Sequence, residues 1–467
     1  MGWKLTVFVL LLAVSVGIIF SLILTPRLKT ETPDAGDGWW AINENVDRTS
    51  AESSGSEIDT SVRRFTVNVS DDVLVDLTSR IRNARLIEPI LENAAFEYGF
   101  NAGYMRKLQQ YWLKKYSWRD AEKQLNQFDQ FLTNIEGIDV HFIHAKPNLK
   151  PGQKAKPIII IHGWPGSVYE FHKIIPMLID PTSHGGSSDD VFEVICPSIP
   201  GFGFSEAPHR KGFSVDNAAR VMNKLMQRLG FKSYYAQGGD MGTAITVNMA
   251  IMFPDNVKGL HNNDLAQVSG KSFLYPMLAN LWPSFFLPKE EERNALLGIG
   301  ERIKFVITEM GYMYDFGTKP DSLAMALNDS PMGLASVILE KFSLWTNRNW
   351  RKFKDGGLTQ AYSMDDLLTN VMIYWVNGNI ASSVRLFKEE FGENAKGYHF
   401  EYSSRVPFGY ACFPYEFMAT SDWLMKIFHP RILHFTYFND GGHFPAFQVP
   451  SLLAQDIREF VRKVEAL

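Results

Sequence analysis

Residues 233–242 read SYYAQGGDMG, a short run that ends in glycines on both sides of an aspartate. The run at 233–237 has the character of a strand, and glycines allow the chain to turn tightly directly after it. Because bulkier residues beside such a turn would collide with neighbouring elements, this glycine spacing fits a strand that turns sharply into a helix. The segment therefore predicts a strand–turn–helix unit with Asp240 at its apex.

The same kind of unit occurs elsewhere in the chain. Residues 157–161 (PIIII) form a continuous β-branched run, as expected of a strand buried on both faces of a parallel sheet. Another strand is predicted at 192–196, before a Pro- and Gly-rich loop, and a helix from about 215 to 229. Repeated strand–loop–helix units predict a doubly wound, mostly parallel α/β sheet with its site at the carboxyl ends of the strands.

The segments around this sheet differ in character. Glu136-Gly137 lies between two apolar runs and is a hairpin signal, and helical, aromatic-rich sequence without strand runs begins at about residue 265. Further strands are predicted at 65–69, 131–135, 138–144, 406–412 and 432–438, and a closing amphipathic helix at 449–467. We divide the chain into a membrane anchor (1–30), a linker and helical N-terminal extension (31–130), the first part of the α/β core (131–264), a helical lid (265–400) and the second part of the core (401–467).

The anchor is predicted from residues 5–24, LTVFVLLLAVSVGIIFSLIL. This uncharged run is long enough to cross the ~30 Å hydrocarbon core of a bilayer as one helix. A cleaved signal peptide is the alternative, but the run is longer than a typical signal-peptide core and no small-residue cleavage motif follows it. Basic residues at 27 and 29 follow the run and only Lys4 precedes it, which places the bulk of the protein in the cytosol. The sequons at Asn68 and Asn328 would then stay unmodified.

Composition excludes several classes of function. The 47 Lys and Arg residues nearly balance the 51 Asp and Glu residues, giving a net charge of −4, so there is no strong positive field to attract nucleic acid. The only cysteines, Cys196 and Cys412, are too few for a disulfide scaffold or a Cys-rich metal site. The segment from about 31 to 63 is rich in Gly, Ser, Asp and Glu and reads as a solvated linker, interrupted by Trp39-Trp40, which we expect to pack on the body or on a membrane interface.

Polar residues follow four predicted strands. Asp240 caps its helix in one interpretation and is a nucleophile in the other. A carboxylate at this turn would form an ester with a carbon electrophile, which excludes an ordinary esterase or protease. The chain continues with Glu416 after the next-to-last strand and His443 in a Gly-rich loop after the last, in the order nucleophile, acid, base. The loop HGWP at 162–165 follows an earlier strand, where a backbone donor of an oxyanion hole belongs.

On these motifs the sequence resembles the microsomal epoxide hydrolase family, and within it the insect juvenile hormone epoxide hydrolases. The resemblance runs over nearly the whole chain and includes the N-terminal anchor, Trp39-Trp40, HGWPGS at 162–167, the turn at 238–242, LNDSP at 327–331, FPYE at 413–416 and GGHF at 441–444. It implies an α/β-hydrolase fold with a helical lid. It also implies a single-pass protein of the endoplasmic reticulum membrane that hydrolyses lipophilic epoxides, such as juvenile hormone or xenobiotic epoxides, to diols.

The resemblance also implies a role for each site residue. Asp240 is the nucleophile, His443 the base that activates water and Glu416 the acid that orients the histidine. Tyr312 donates a proton to the epoxide oxygen, and the backbone N–H groups of Trp164 and Met241 hold the oxyanion of the ester-hydrolysis step. No metal or organic cofactor is implied, the partners are the epoxide, water and the membrane, and no oligomeric state is indicated.

Two positions depart from the family pattern. Met241 follows the nucleophile where the family usually has Trp, which keeps the backbone donor and changes only the shape of the pocket. Phe387 stands where the family presents a second epoxide-activating tyrosine, and phenylalanine donates no proton. Tyr374 is an improbable replacement, because at thirteen residues upstream on a continuous helix it would point about 140° away. The sequence therefore predicts one activating phenol and low turnover.

Two alternatives remain open at this point. A haloalkane dehalogenase uses the same aspartate chemistry, but it needs N–H donors around a halide, whereas Tyr312 and the anchor favour an epoxide. A non-catalytic protein of the same fold that binds lipophilic ligands is made conceivable by Phe387 and Met241. Against it, the positions of nucleophile, acid and base all hold residues that can perform the chemistry.

Overall fold

One mixed sheet organises the computed structural model, which describes residues 28–42, 59–264, 279, 281–287, 289–295, 298–392, 395–416 and 419–467. Its strands in the described part are β1 Arg63–Phe65, β2 Gln130–Ile135, β3 Ile138–Ala145, β4 Lys156–Ile161, β5 Phe192–Pro197, β6 Tyr234–Gly238, β7 Val257–Asn262, β8 Phe408–Cys412 and β9 Ile432–Tyr437. They lie in the order β1-β2-β3-β5-β4-β6-β7-β8-β9. From β5 onward all neighbouring pairs are parallel, whereas β1 to β3 pair antiparallel and β3 joins β5 antiparallel.

The alternation of side chains along β4 explains why the sheet is buried on both faces. Ile159 and Ile161 belong to the large core on one face, and Ile158 and Ile160 to a second core on the other. At roughly 25 cal/mol per Å² of apolar surface, each such side chain contributes about 1.5–3 kcal/mol relative to an exposed position. The continuous isoleucine run is therefore the buried parallel strand that the sequence predicts, and it holds the following loop rigidly.

Helices cover both faces of the sheet and one end of it. The N-terminal extension contains helices Asp71–Arg82, Ala102–Lys114 and Trp118–Leu125, and the core contains Ile174–Ile179, Val215–Arg228, Met241–Met252, Asp422–Phe428, Pro445–Gln448 and Pro450–Glu465. Between β7 and β8 the described residues form the helices Pro283–Phe286, Glu290–Ala295, Ile299–Glu309, Gly311–Thr318, Pro320–Asp329, Pro331–Thr346, Leu358–Ala361, Met364–Asn377, Ile380–Glu390 and Tyr398–Glu401. This helical insertion, called the lid below, lies over the carboxyl ends of the central strands.

The N-terminal part of the sheet is built around a tight hairpin. β2 and β3 pair with Ile135 opposite Ile138, and the two residues between them, Glu136 and Gly137, both have positive φ, 53° and 86°. This is the hairpin that Glu136-Gly137 predicts. The Glu136 carboxylate accepts hydrogen bonds from Trp40 Nε1 (2.8 Å) and from Arg220 Nε (2.7 Å), so Trp40 packs on the body of the protein.

Two local predictions are wrong. The predicted strand at 65–69 corresponds to β1, which begins at Arg63 and ends at Phe65, because Val67 and Val69 bond instead to the side chains of Asn126 and Glu122. The single helix assumed to run from Tyr374 to Phe387 is two helices: the first ends at Asn377, before Gly378 with a φ of 58°, and the second begins at Ile380.

The predicted anchor at 5–24 lies outside the described residues. Within the part of the chain that is described, no single helix combines the length and apolar character needed to cross a bilayer. The helices Pro320–Asp329 and Pro331–Thr346 reach that length only together, across a bend of 116°.

Candidate active site

Asp240 occupies a sharp turn between β6 and the helix Met241–Met252. Its backbone has φ 52° and ψ −130°, a conformation that costs a non-glycine residue on the order of 1–3 kcal/mol. The flanking glycines are required by close backbone contacts, since a Cβ on Gly238 would lie 2.3 Å from the Gly242 carbonyl oxygen and one on Gly242 would lie 2.1 Å from that of Ile161. The turn raises the Asp240 carboxylate above the end of the sheet.

The loop after β4 supplies a hydrogen-bond donor to this carboxylate. The backbone N–H of Trp164 donates to Asp240 Oδ1 at 2.8 Å. Gly163 permits this approach, because a Cβ there would lie 2.2 Å from the same oxygen. Met241 is the first residue of the helix, so its N–H belongs to the first turn, where such groups have no partner within the helix. The two residues predicted to supply backbone donors, Trp164 and Met241, therefore both lie next to Asp240.

His162, in the same loop, has a structural role. Its Nδ1 lies 3.0 Å from the Gly163 carbonyl oxygen, and its Nε2 accepts a hydrogen bond from the Ile199 N–H at 3.2 Å. Burial lowers the pKa of His162 to about 4, so the ring is neutral and can accept that bond. His162 thus ties the loop to the segment after β5.

His443 and Glu416 complete a chain of hydrogen-bonding groups. His443 Nδ1 lies 2.8 Å from Glu416 Oε2, and Nε2 lies 3.3 Å from Asp240 Oδ2. Burial alone would lower the pKa of His443, but the carboxylates of Glu416 and Asp240 outweigh it and hold that pKa well above its usual value. The structure brings together the three residues that the sequence singles out at separate strand ends.

Tyr312 lies in an aromatic wall contributed by the lid. Its ring stacks on Trp164 with centroids 5.5 Å apart, and Trp345 and Phe316 flank it at 5.5 and 6.0 Å. Burial, with a further contribution from the charge of Asp240, raises the pKa of the Tyr312 phenol well above its usual value. The phenol is therefore protonated at neutral pH and able to donate a proton near Asp240.

Phe387 belongs to the same wall. Its ring lies 5.7 Å from that of Trp164 and 6.0 Å from that of Tyr312. Tyr374 is directed elsewhere, since its hydroxyl donates to the Gly166 carbonyl oxygen at 2.7 Å. The reason for discounting Tyr374 is thus this hydrogen bond and not its angle on a continuous helix. Tyr312 is accompanied in the wall by a phenyl ring and not by a second phenol.

Glu170 is a buried acid of the site that the sequence analysis missed. It lies in the short 3-10 turn Val168–Phe171 and borders the same small cavity as Asp240 and His443. The sequence feature that could have identified it is a single acidic residue between Tyr169 and Phe171, shortly after the HGWP loop. Among the described residues, no group of three or more His, Cys, Asp or Glu side chains is arranged to hold a metal ion.

Comparisons with known proteins agree with this geometry. Residues 62–171 match the family model "Epoxide hydrolase N terminus", and residues 156–292 match "alpha/beta hydrolase fold". The chain is 45% identical to "Epoxide hydrolase 1" of Sus scrofa over 94% of its own length and 95% of that protein. It is 39% identical to "Juvenile hormone epoxide hydrolase 1" of Ctenocephalides felis, over 91% and 89% of the two chains. The crystal structure of juvenile hormone epoxide hydrolase from the silkworm Bombyx mori superposes with a TM-score of 0.86 at 34% identity, covering 93% of this chain and 99% of that one.

Proposed function

Because the chain belongs to the epoxide hydrolase family and has the α/β-hydrolase fold, we propose that it converts lipophilic epoxides to diols through a covalent ester of Asp240. The observation that carries this proposal is the series of side-chain contacts from Glu416 through His443 to Asp240 Oδ2. The other carboxylate oxygen, Oδ1, accepts a hydrogen bond from the Trp164 N–H. Family membership favours an epoxide over the haloalkane alternative and catalysis over simple ligand binding.

In the first step the Asp240 carboxylate attacks an oxirane carbon, and the bond from that carbon to the epoxide oxygen breaks. The resulting alkoxide takes the proton of the Tyr312 phenol, so that a hydroxyalkyl ester forms. The Trp164 N–H fixes the orientation of the carboxylate by holding Oδ1. Because the carboxylate is oriented before the substrate binds, little freedom is lost in the attack.

In the ester Asp240 carries no charge, which lowers the pKa of His443 relative to the resting site and favours its neutral form. In the second step water attacks the ester carbonyl carbon of Asp240, and the neutral His443 Nε2 takes one of its protons. The oxyanion is stabilised by the backbone N–H groups of Trp164 and Met241. When the intermediate collapses, the diol oxygen takes the proton back from His443, and the remaining proton of the water restores the Tyr312 phenol. Cleavage of the ester bond returns Asp240 to a carboxylate, and the reaction consumes only the epoxide and one water molecule.

The lining of the site supports a lipophilic substrate. Apart from Tyr312, the rings of the aromatic wall are apolar or nearly so: Trp164, Phe316, Trp345 and Phe387. Such a wall binds an aliphatic or aromatic epoxide by burial of apolar surface. Because similar proteins carry the name juvenile hormone epoxide hydrolase, we include that terpenoid epoxide among the proposed substrates, together with xenobiotic epoxides.

The ester is tested by a single turnover in ¹⁸O-labelled water with enzyme in excess over a terpenoid epoxide. We expect an unlabelled diol and one ¹⁸O atom in the peptide that contains Asp240, because the oxygen added to the substrate comes from the carboxylate. Mass spectrometry of diol and digested protein measures both. Label in the first-turnover diol would contradict the ester mechanism and indicate direct attack by water.

We also propose that residues 5–24 anchor the protein in the endoplasmic reticulum membrane with the catalytic body in the cytosol. Support comes from the surroundings of Leu28, which follows the proposed anchor in the chain. Leu28 packs against a small cluster made by Ala279, Leu287, Leu424 and Phe428. Next to it are the large exposed side chains Trp282, Phe285 and Trp423, of the kind that are enriched where proteins meet a bilayer surface.

This orientation predicts that Asn68 and Asn328 carry no glycan in microsomes. Both asparagines are exposed, so accessibility would not prevent modification. The expected result is a carbonate-resistant membrane protein whose mobility on a gel does not change with endoglycosidase, measured beside a luminal glycoprotein from the same microsomes. A shift that disappears in Asn68→Gln or Asn328→Gln would place the body in the lumen.

A further inference from the structure

A small cavity is bordered by both Asp240 and His443, and the rings of the aromatic wall are not part of its lining. Its volume is about 20 Å³, above the roughly 10–15 Å³ that one water molecule needs. Its polar lining includes Glu170, Gln237, Asp240, Asn263 and His443. Asn263 Nδ2 is buried and forms no hydrogen bond within the described part of the chain. The cavity therefore offers several polar groups to one water molecule, which it has room to hold beside the Asp240 carboxyl group.

Glu170 is held against this cavity by the shape of the HGWPG loop. Its side chain is buried, and its carboxyl group occupies the space that a side chain on residue 166 would fill. A Cβ on Gly166 would lie only 1.4 Å from Glu170 Oε1. Gly163 and Gly166 thus make room for two different carboxyl groups, those of Asp240 and Glu170, on one loop.

The Glu170 carboxyl is suited to accept a hydrogen bond without adding charge. Burial raises the pKa of Glu170 to about 8; it outweighs the lowering effect of His443, and the charge of Asp240 adds a smaller increase. At neutral pH the group is therefore mostly protonated. A neutral carboxyl still presents a carbonyl oxygen as an acceptor, and it does not repel the Asp240 carboxylate.

We propose that Glu170 is a positioning residue that orients the hydrolytic water of the second step, which rests on the ester mechanism proposed above. One proton of the water faces His443 Nε2 and the other is accepted by the Glu170 carbonyl oxygen. This leaves a lone pair of the water oxygen directed at the ester carbon. Glu170 takes no part in the first step, since that step uses no water.

The test separates the two steps by rapid quench. Glu170→Met removes the acceptor and keeps the length of the side chain, so ester hydrolysis should slow at least tenfold while ester formation changes less than about threefold. Glu170→Gln keeps a neutral carbonyl in the same place and should hydrolyse the ester within about threefold of the wild-type rate. In steady state the kcat and the KM of the methionine variant should both fall by the same factor, so that kcat/KM is unchanged.

Matched controls distinguish positioning from a structural role. Glu122→Gln neutralises another buried glutamate, in the helix Trp118–Leu125, and should leave the ratio of the two rates unchanged. If the methionine variant does not fold, Glu170→Ala replaces it in the same measurement. Wild-type ester hydrolysis in Glu170→Met, an equal loss of both steps, or failure of glutamine to restore hydrolysis would each overturn the proposal. Absence of any ester in the wild type would instead overturn the proposed function itself.

Discussion

Asp240→Asn is expected to form neither ester nor diol, with turnover reduced on the order of 10⁴-fold or more, as is typical when an attacking residue is removed. The amide has the shape of the carboxylate, and its oxygen can still accept the Trp164 N–H bond. Its nucleophilicity is lost because the amide lone pair is delocalised and no negative charge remains. Asparagine also tolerates positive φ, so the 52° backbone at this position should not prevent folding.

The same variant should change the titration of His443. The Asp240 carboxylate is one of the groups that raise the pKa of His443, so its removal should lower that pKa, and the ring should lose its proton at a lower pH than in the wild type. Histidine NMR signals followed against pH measure this change. The shift is independent of any substrate and tests whether the contact between the two side chains exists in solution.

The control for this experiment is Asp255→Asn, an exposed aspartate after the helix Met241–Met252, which should keep full activity. Mass spectrometry of the peptide with residue 240 must accompany the assay, because slow deamidation would regenerate aspartate. An Asp240→Asn protein that remains asparagine and still produces diol at a tenth of the wild-type rate would refute the assignment of the nucleophile.

Phe387→Tyr is expected to accelerate ester formation by about a hundredfold, the lower end of what one positioned general acid contributes. Phe387 lies in the wall beside Tyr312, with the ring centroids 6.0 Å apart, and both rings contact Trp164 above the nucleophile. A phenol there would share the proton donation that we propose for Tyr312. The rate of ester formation in a rapid-quench experiment measures the gain.

Phe316→Tyr is the matched control for this substitution. Phe316 lies in the same aromatic cluster, 5.7 Å from Phe387 and 5.2 Å from Trp164, and it is fully buried. A hydroxyl at that position adds a phenol to the wall without a predicted role in proton donation, so no acceleration is expected. If the wild type and Phe387→Tyr form the ester at equal rates, the lack of a second phenol at position 387 does not limit the rate of ester formation.

The meeting of the three proposed catalytic residues could be predicted, because in a parallel sheet the order of strands along the chain determines which loops lie side by side. Asp240, Glu416 and His443 each follow a strand of the parallel part of the sheet, and parallel strands end at one edge, so these side chains meet at the histidine. Glu136-Gly137 predicted its hairpin for a similarly local reason, the positive φ that both residues adopt.

Other features depend on contacts that no local pattern encodes. The strand expected at 65–69 ends at Phe65 because Asn126 and Glu122, more than fifty residues away, take its backbone N–H groups. The angle predicted between Tyr374 and Phe387 assumes one continuous helix, whereas Gly378 ends that helix in a left-handed conformation. Glu170 was overlooked because its importance comes from the cavity it borders and not from its neighbours in sequence.

The strained backbone at Asp240 has an evolutionary consequence. Its cost of about 1–3 kcal/mol is a substantial part of the ~5–15 kcal/mol by which a typical folded domain is stable. Glycine adopts the same backbone conformation without that penalty, so a lineage freed from selection for turnover would gain stability by losing the carboxylate. Under the proposed mechanism, selection for turnover maintains the aspartate against this gain in stability, and we expect an inactive paralogue to carry glycine at position 240.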